Sequence, residues 1–192
     1  GAAGLAAPSI RDQFTGIERA DSFIVDPHKW LFAPFDCCAL LYRTPEHARH
    51  AHRQHGDYLE VLYDGIWNPS DYAHHLSRRA RGLPFWFSLA THGTDAYAAA
   101  VEQTLLLTQQ AADLIDASEH LELILPPHLS IVIFKRSGWD AGAYTQWSKQ
   151  LLEHGDGFVM PTKYQGETVL RLCIVNPTTS SDDLAFIVAS LI

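Results

Sequence analysis

Two short apolar segments with the spacing of β-strands flank a polar turn near the start of the chain. Phe23 and Val25 occupy alternate positions in "ADSFIVD", which ends at Pro27, and this pattern predicts a strand closed by a turn. A second apolar run from Cys38 to Arg43 predicts another strand. Lys29 lies between them, at a strand end or in the connecting turn, where functional side chains are often presented.

Helical patterns follow. The segment from Pro45 to Gln54 places proline in the first turn and predicts a helix. Residues 56–77 mix Gly, Pro, Asn and Asp with aromatic residues and have no sustained period, which predicts a long loop of the lid or binding type. A long helix is predicted from Phe85 to about residue 117, with a break and a new N-cap at residues 93–95; its apolar face is formed by Val101, Leu105, Ala112 and Ile115.

The last third of the chain predicts a small α+β unit. Its expected elements are strands at 121–125 and 130–134, a helix at 141–154, a strand at 168–175 and a helix at 181–192. We therefore expect two parts: residues 1–102, which end within the long helix, and a small C-terminal domain at residues 103–192. No internal repeat or low-complexity tract interrupts either part.

The composition and charge of the chain limit the kinds of partner that it is expected to bind. The 192 residues are 47% hydrophobic, as in a globular protein, and the formal net charge of -8 disfavours nucleic acid and anionic membrane surfaces. The three cysteines include an adjacent pair, which does not form a disulfide framework, so a reducing, cytoplasmic location is expected. No apolar run reaches the roughly 20 residues that a transmembrane helix needs, and no leader is apparent. A small-molecule or protein partner is expected.

Lys29 is the first candidate for chemistry, and two interpretations apply. A lysine at a strand end can lay its stem on Trp30 and keep its charge in water. Alternatively, an amine that attacks a carbonyl must be partly neutral, and apolar surroundings favour that form, as Schiff-base lysines require. Pro27, His28, Trp30 and Phe32 would form such a pocket, with His28 available to donate to an anion.

The motifs around Lys29 resemble a known family. "DPHKWLFAPFDCCALLYR" is similar to the lysine segment of the pyridoxal-phosphate-dependent group II amino-acid decarboxylases, which read Asn/Asp-Pro-His-Lys-Trp and then Phe-Asp-Cys-Ser/Cys-Ala. "SDYAHHLSRRARGLPFW" resembles the family's mobile-loop segment, with Asp-Tyr, a histidine and then Arg-Arg-x-Arg-Ser/Gly-Leu. "VLRLCIVNPTTS" matches a C-terminal strand that carries Arg171. The resemblance covers essentially the whole chain.

The resemblance implies a fold and a chemistry. The fold would be α/β, of the type I aminotransferase-like class, with the later part of the large pyridoxal-phosphate domain followed by the small domain. Lys29 would form the Schiff base with pyridoxal 5'-phosphate, and His28 would contact the phosphate side of the cofactor. Tyr72 would protonate the substrate carbon after CO2 leaves; aldehyde-forming relatives tend to carry Phe there, so Tyr72 favours plain decarboxylation.

The resemblance also implies what the chain lacks. The family's aspartate that pairs with the pyridine nitrogen and its ring-stacking histidine precede the lysine by more residues than the 28 found here. We therefore expect the C-terminal portion of a longer decarboxylase, a homodimer with shared active sites, and negligible turnover by this portion alone. The expected reaction converts an L-amino acid to the amine and CO2, and aromatic amino acids are the favoured substrates.

Two rival functions stay open. Another pyridoxal-phosphate enzyme, such as a lyase or an aldehyde-forming relative, would also need Lys29. A degenerate binding or assembly module would keep the core and lose the chemistry.

Several further residues have structural interpretations that compete with functional ones. The histidines at positions 47, 50, 52 and 55 split over two helix faces, which disfavours a metal site. Arg78, Arg79 and Arg81 could bind an anionic ligand or form ion pairs that hold the base of the loop. Asp26 has no assigned role, because a carboxylate beside a phosphate would be repelled. Cys37 and Cys38 are expected to be small buried residues.

Overall fold

The computed structural model describes residues 1–54 and 67–192. Within them the chain forms two compact units. One, here called the lysine unit, contains Ala2 and residues Asp12–Thr91; the other, the sheet unit, contains Gly1, Ala3–Arg11 and His92–Ile192. The unit boundary at residues 91 and 92 lies beside Gly93; the domain boundary after residue 102 stays a prediction.

The lysine unit is built on a two-stranded antiparallel ribbon. Strand β1 (Ser22–Val25) pairs with β2 (Ala39–Tyr42), so that Ser22 lies opposite Tyr42. Helix α1 (Pro45–His52) follows with proline in its first turn, as predicted, and a 3₁₀ helix (Pro69–Tyr72) begins after the capping side chain of Asn68. Residues 56–66 of the predicted loop lie outside the described residues.

The ribbon corrects one expectation. The apolar segments on either side of Lys29 have the composition of core strands, but Leu41 is 54% exposed and Leu40 is exposed as well. In β1, Phe23 and Val25 are half-buried on one side, as their alternation predicted, and Ile24 on the other side is 60% exposed. A two-stranded ribbon has no second layer of its own, and three or more strands or a helix are needed to bury both of its faces. Within the described part of this unit, the apolar pattern therefore identified both strands and the inner side of β1, but not the exposure of β2.

A long helix, α2 (Gly82–Asp116), leads from the lysine unit into the sheet unit. Gly93 interrupts it with φ 77° and ψ 161°, a backbone conformation that side chains other than glycine rarely adopt. The break predicted from the Gly-Thr-Asp sequence is confirmed at this residue. After the break, Val101, Leu107 and Ile115 face the core and are almost fully buried.

The sheet unit has a four-stranded antiparallel sheet with the spatial order β3-β4-β6-β5. The strands are β3 (Leu121–Leu123), β4 (Ile131–Arg136), β5 (Pro161–Tyr164) and β6 (Glu167–Cys173); the helices are α3 (Ala141–His154) and α4 (Ser181–Ala189). Strand β5 was not predicted, because its four residues include proline and lysine and only two of them are even half-buried.

One hydrophobic core joins this sheet to its helices. Phe134 and Leu170, on the adjacent strands β4 and β6, are fully buried and lie opposite each other in the register. Trp147 of α3 and Ile187 of α4 belong to the same buried cluster. Each such side chain stabilises the fold by about 1.5–3 kcal/mol through the removal of apolar surface from water. In the described residues, no helix combines the length and apolar character needed to cross a bilayer.

A capping box begins α4. The Ser180 hydroxyl accepts a hydrogen bond from the Asp183 amide at 3.1 Å, and the Asp183 carboxylate accepts from the Ser180 amide and hydroxyl at 2.8 Å. These bonds satisfy amide groups that a helix N-terminus leaves without partners. Hydrogen bonds from Ser180, the backbone one first, hold the pKa of Asp183 below its usual range.

Ser180→Ala is expected to reduce the free energy of unfolding at pH 7 by about 1 kcal/mol, the usual cost of a lost N-cap. Ser180→Thr, which keeps the hydroxyl that accepts from the Asp183 amide and donates to the Asp183 carboxylate, should lose much less. Because the folded-state pKa of Asp183 is depressed, its stabilising effect is present above the unfolded pKa and disappears as the pH falls through the folded one. Urea denaturation of the wild type and both variants at pH 7 and at pH 3 measures these free energies. A loss of stability from Ser180→Ala that is larger at pH 3 than at pH 7 would contradict the prediction.

Candidate functional site

Lys29 lies in a turn that its neighbours close. The Lys29 amide donates to the Asp26 carbonyl at 3.1 Å, and the Ala33 amide donates to the Pro27 carbonyl at 3.0 Å. Pro27 and Trp30 on either side are buried, so the backbone on both sides of the lysine is packed against the unit. The turn follows directly after β1, as predicted.

The lysine side chain points outward from this turn. It is 66% exposed, and its Nζ forms an ion pair with the Asp26 carboxylate at 2.6 Å. The apolar enclosure predicted from Pro27, His28, Trp30 and Phe32 is therefore not formed by these neighbours, because Pro27 and Trp30 turn into the interior while Lys29 faces the opposite way. The hydrogen bond from Lys29 is the largest effect that lowers the pKa of Asp26 below its usual range.

His28 is held by the backbone of the segment that follows the turn. Its Nδ1 lies 2.5 Å from the Cys37 carbonyl and 3.1 Å from the Cys37 amide, which donates to it. Phe35 contacts the imidazole edge-on, with 5.2 Å between the ring centroids. Because Cys37 occupies the Nδ1 side in either tautomer, any hydrogen bond from His28 to a ligand must come from Nε2.

Tyr72 ends the 3₁₀ helix Pro69–Tyr72 and is half-buried. Its ring stacks on Trp67, with centroids 6.0 Å apart and an interplanar angle of 23°. The preceding Asp71 pairs with Arg49 of α1 at 3.2 Å, which ties the short helix to α1. Tyr72 and Lys29 thus lie in the same unit, on separate segments.

The arginines after Tyr72 pair with one carboxylate. Arg79 Nη2 lies 2.9 Å and Arg81 Nε 3.0 Å from Asp36, and the Arg81 Nε contacts both carboxylate oxygens. Arg78 instead donates to the Pro69 carbonyl at 2.8 Å. Of the two interpretations left open for this cluster, these contacts match the one in which the arginines hold the base of the loop.

The other candidates are dispersed. Cys37 is buried and burial raises its pKa, whereas Cys38 is exposed, contrary to expectation. Arg171 on β6 contacts the Cys173 thiol. Across residues 1–54 and 67–192, no group of three or more His, Cys, Asp or Glu side chains is arranged to hold a metal ion; His55 lies outside these residues.

The family model of the pyridoxal-dependent decarboxylase conserved domain matches residues 1–137, which include Lys29 and Tyr72. The chain belongs to the pyridoxal-dependent decarboxylase family. This confirms the resemblance inferred from the motifs around Lys29 and after Tyr72.

Individual relatives of this decarboxylase family agree. The chain is 28% identical to the aromatic-L-amino-acid decarboxylase of Bacillus atrophaeus over 179 residues, which cover 88% of this chain and 37% of that protein. It is 30% identical to the 3,4-dihydroxyphenylacetaldehyde synthase of Aedes aegypti, covering 89% of this chain and 33% of that protein. The chain therefore spans about a third of the length of these relatives.

Solved decarboxylase structures share the fold. The structure of Oryza sativa TDC with PLP and tryptamine matches with a TM-score of 0.85 at 23% identity, over 98% of this chain and 42% of that one. The predicted fold class, α/β of the type I aminotransferase-like kind, is confirmed by this match. The site residues assigned by the resemblance stay predictions, since similarity at this level establishes the fold alone.

The residues of this decarboxylase domain fit the cofactor that the family uses. A primary amine on a backbone fixed by buried neighbours can form a covalent bond to an aldehyde, and an imidazole with one nitrogen held by Cys37 can present the other to a phosphate. Lys29 and His28 would therefore hold pyridoxal phosphate. Sequence reasoning gave Asp26 no role and missed the role of Asp36. The signal available for Asp26 was its position three residues before Lys29, whereas the arginines that contact Asp36 lie more than forty residues away, so no local signal marked it.

Asp26→Asn is expected to speed covalent attachment of pyridoxal phosphate to Lys29. The ion pair with the carboxylate must be broken before Nζ can bond to the cofactor, so its removal should raise the attachment rate at pH 7 by roughly two- to fivefold, the range of an exposed ion pair. Borohydride trapping against time, on the complete protein, measures this rate. Asp21→Asn, which removes an exposed ion pair with Arg43 in the same unit, is the matched control. Slower trapping in Asp26→Asn than in this control would contradict the prediction.

Proposed function

We propose that the protein to which this chain belongs decarboxylates an L-amino acid to the amine and CO2, with pyridoxal 5'-phosphate as cofactor. The observation that carries the proposal is the outward-facing amine of Lys29 on a turn closed by two backbone hydrogen bonds, with His28 fixed beside it. This arrangement occurs in a domain of the pyridoxal-dependent decarboxylase family.

The bound cofactor supplies a conjugated ring that accepts the electron pair left when CO2 departs. The residues of this chain would provide part of the remaining machinery. Lys29 would bind the cofactor covalently, and His28 Nε2 would orient its phosphate. The Asp26 carboxylate, 2.6 Å from the amine, holds the lysine side chain in place until the cofactor binds.

Tyr72 is proposed to deliver the proton to the α-carbon of the product. A phenol suits this step, because its O–H group can donate a proton to the carbon once water has been excluded. The stack on Trp67 limits the rotation of the ring, which helps to present the hydroxyl in one direction.

An aromatic amino acid is the proposed substrate. Aromatic-L-amino-acid decarboxylases are among the relatives, from Bacillus atrophaeus and from Drosophila melanogaster. Two further proposals follow from the resemblance: a preceding segment that supplies the ring-pairing aspartate, and a homodimer whose subunits share the sites. A cytoplasmic location is proposed from the cysteine content.

A second candidate function is decarboxylation coupled to oxidative deamination, in which dioxygen is the oxidant: the amino acid, O2 and water give the aldehyde, CO2, ammonia and hydrogen peroxide. It is favoured by the 30% identity to the 3,4-dihydroxyphenylacetaldehyde synthase of Aedes aegypti. It is disfavoured by Tyr72, where the resemblance leads us to expect Phe in aldehyde-forming enzymes.

The test uses the complete protein with cofactor and a panel of L-amino acids that includes tyrosine, tryptophan, histidine and glutamate. We expect amine and CO2 in equal amounts from an aromatic member. Aldehyde with ammonia and hydrogen peroxide would replace the proposal with the second candidate. No product from any amino acid, together with no borohydride-stable label on Lys29, would favour the non-catalytic assembly module.

A further inference from the structure

The ion pairs of Asp36 join the lysine segment to the segment that follows Tyr72. Asp36 lies seven residues after Lys29, whereas Arg79 and Arg81 lie 43 and 45 residues further along the chain. These three residues form what we call the Asp36 clasp. The clasp connects the segment that carries the predicted site residues His28 and Lys29 with the segment that follows Tyr72.

On the lysine side, the path from Asp36 is short. The next residue, Cys37, bonds to His28 Nδ1 through its backbone, and the preceding residue, Phe35, contacts the His28 ring. Asp36 is therefore flanked by the two residues that fix the imidazole beside Lys29. A displacement of Asp36 would be transmitted to His28 through one peptide unit on either side.

On the tyrosine side, the path is equally direct. Arg78, beside the clasp, donates to the carbonyl of Pro69, the first residue of the 3₁₀ helix that ends at Tyr72. Residues 73–80 have no helix or strand of their own, so their position depends on such contacts. Gln54 adds one more, to the His74 carbonyl at 3.1 Å.

The geometry and partial burial of the clasp favour one fixed arrangement of Asp36 and Arg81. Arg81 Nε lies 3.0 Å from each oxygen of Asp36, and Arg79 adds a third contact to the same carboxylate. Both Asp36 and Arg81 are about two-thirds shielded from solvent, so water competes with the pair less than at an open surface. The hydrogen bond from Arg81 also holds the pKa of Asp36 below its usual range, so the carboxylate stays charged at neutral pH.

We propose that Asp36 is a positioning residue: through Arg79 and Arg81 it holds the segment that carries Tyr72 in register with the turn that carries Lys29 and His28. It does not touch the reacting atoms. Its effect on the products rests on the proposed function, in which Tyr72 delivers the proton to the α-carbon; its effect on the backbone does not.

The first test is structural and independent of activity. Chymotrypsin cleavage after Leu76, an exposed residue in the segment that the clasp holds, reports local opening. In the complete protein with cofactor, Asp36→Asn should accelerate this cleavage about five- to tenfold. Asp36→Glu, which keeps the carboxylate, should restore most of the protection, and Asp21→Asn should cleave like the wild type. Equal cleavage of Asp36→Asn and Asp21→Asn would overturn the proposal.

The second test measures the products. Asp36→Asn should still carry the borohydride label on Lys29 but should shift products from amine toward aldehyde, in the same direction as Tyr72→Phe. A general loss of folded protein would lower both products together and leave their ratio unchanged, which would count against positioning. If the wild type forms no amine, the proposed function fails, and the cleavage result alone decides the clasp.

If Asp36→Asn does not fold, Arg81→Gln can be used instead, because it removes the two hydrogen bonds that Arg81 Nε donates to Asp36. Arg81→Gln is expected to accelerate cleavage after Leu76, and the pair Arg79→Gln with Arg81→Gln to accelerate it further. Where Asp36→Asn does fold, the double variant Asp36→Asn with Arg81→Gln should cleave no faster than the faster single variant, since both break one interaction. Additive effects would overturn the proposal.

Discussion

Lys29→Ala is expected to abolish covalent attachment of the cofactor and to lower amine formation by roughly a thousandfold or more, at the upper end of the range seen for residues that transfer protons or form bonds in catalysis. The physical reason is that alanine removes the primary amine that the turn presents to solvent. The measurement is borohydride reduction of the complete protein with pyridoxal phosphate, followed by mass spectrometry of the peptide that contains residue 29.

Two controls separate this effect from a change in charge or folding. Lys149→Ala removes a lysine that is 72% exposed and paired with Glu153, a close match to the environment of Lys29, and should leave labelling unchanged. Lys29→Arg keeps the positive charge beside Asp26 but has no amine able to form the bond, so it should remain unlabelled. A pyridoxyl group on another lysine of the wild-type chain would show that the assignment of Lys29 is wrong.

Tyr72→Phe is expected to lower amine formation by about two to four orders of magnitude, the range for loss of a positioned proton donor, while aldehyde becomes a larger fraction of the product. The substitution removes one hydroxyl and keeps the ring that stacks on Trp67, so the 3₁₀ helix Pro69–Tyr72 should retain its place. Borohydride labelling of Lys29 should be unaffected. Amine, aldehyde and hydrogen peroxide are quantified from the same reaction.

The matched control is Tyr164→Phe, which removes a hydroxyl at the end of β5 in the sheet unit. It should leave both the rate and the product ratio unchanged. An unchanged amine yield in Tyr72→Phe would remove Tyr72 from the proton-transfer step, and a loss of Lys29 labelling would indicate that the tyrosine serves cofactor binding instead.

Local patterns predicted most of the secondary structure. Helix α3 begins and ends at Ala141 and His154, the residues expected from the sequence, because Asp140 caps its start and Gly155 adopts a left-handed conformation at its end. The break at Gly93 was predictable for the same kind of reason, since glycine alone tolerates its backbone angles at little cost. These features depend on residues close together in the chain.

Burial was less predictable than secondary structure. Alternation identified β1 and its half-buried side, which carries Phe23 and Val25, and an apolar run identified β2, yet Leu41 of that run is more than half exposed in the described ribbon. Period-two patterning reports that a strand has an apolar face, whereas burial depends on what packs against that face. The same limit applies to Lys29, whose apolar neighbours Pro27 and Trp30 enter the interior and leave the amine outside.

By itself, the sequence determined the family, the fold class and the residue types that carry the proposed chemistry. It could do so because the motif at Lys29 and the motif at Tyr72 are each a continuous stretch of sequence. Only the tertiary structure decided how these motifs are joined. The pairing of Asp36 with Arg79 and Arg81 spans more than forty residues and has no local signature. An ion pair of this kind is selected by folding, since the charges acquire their partners only when separate segments are brought within hydrogen-bonding distance.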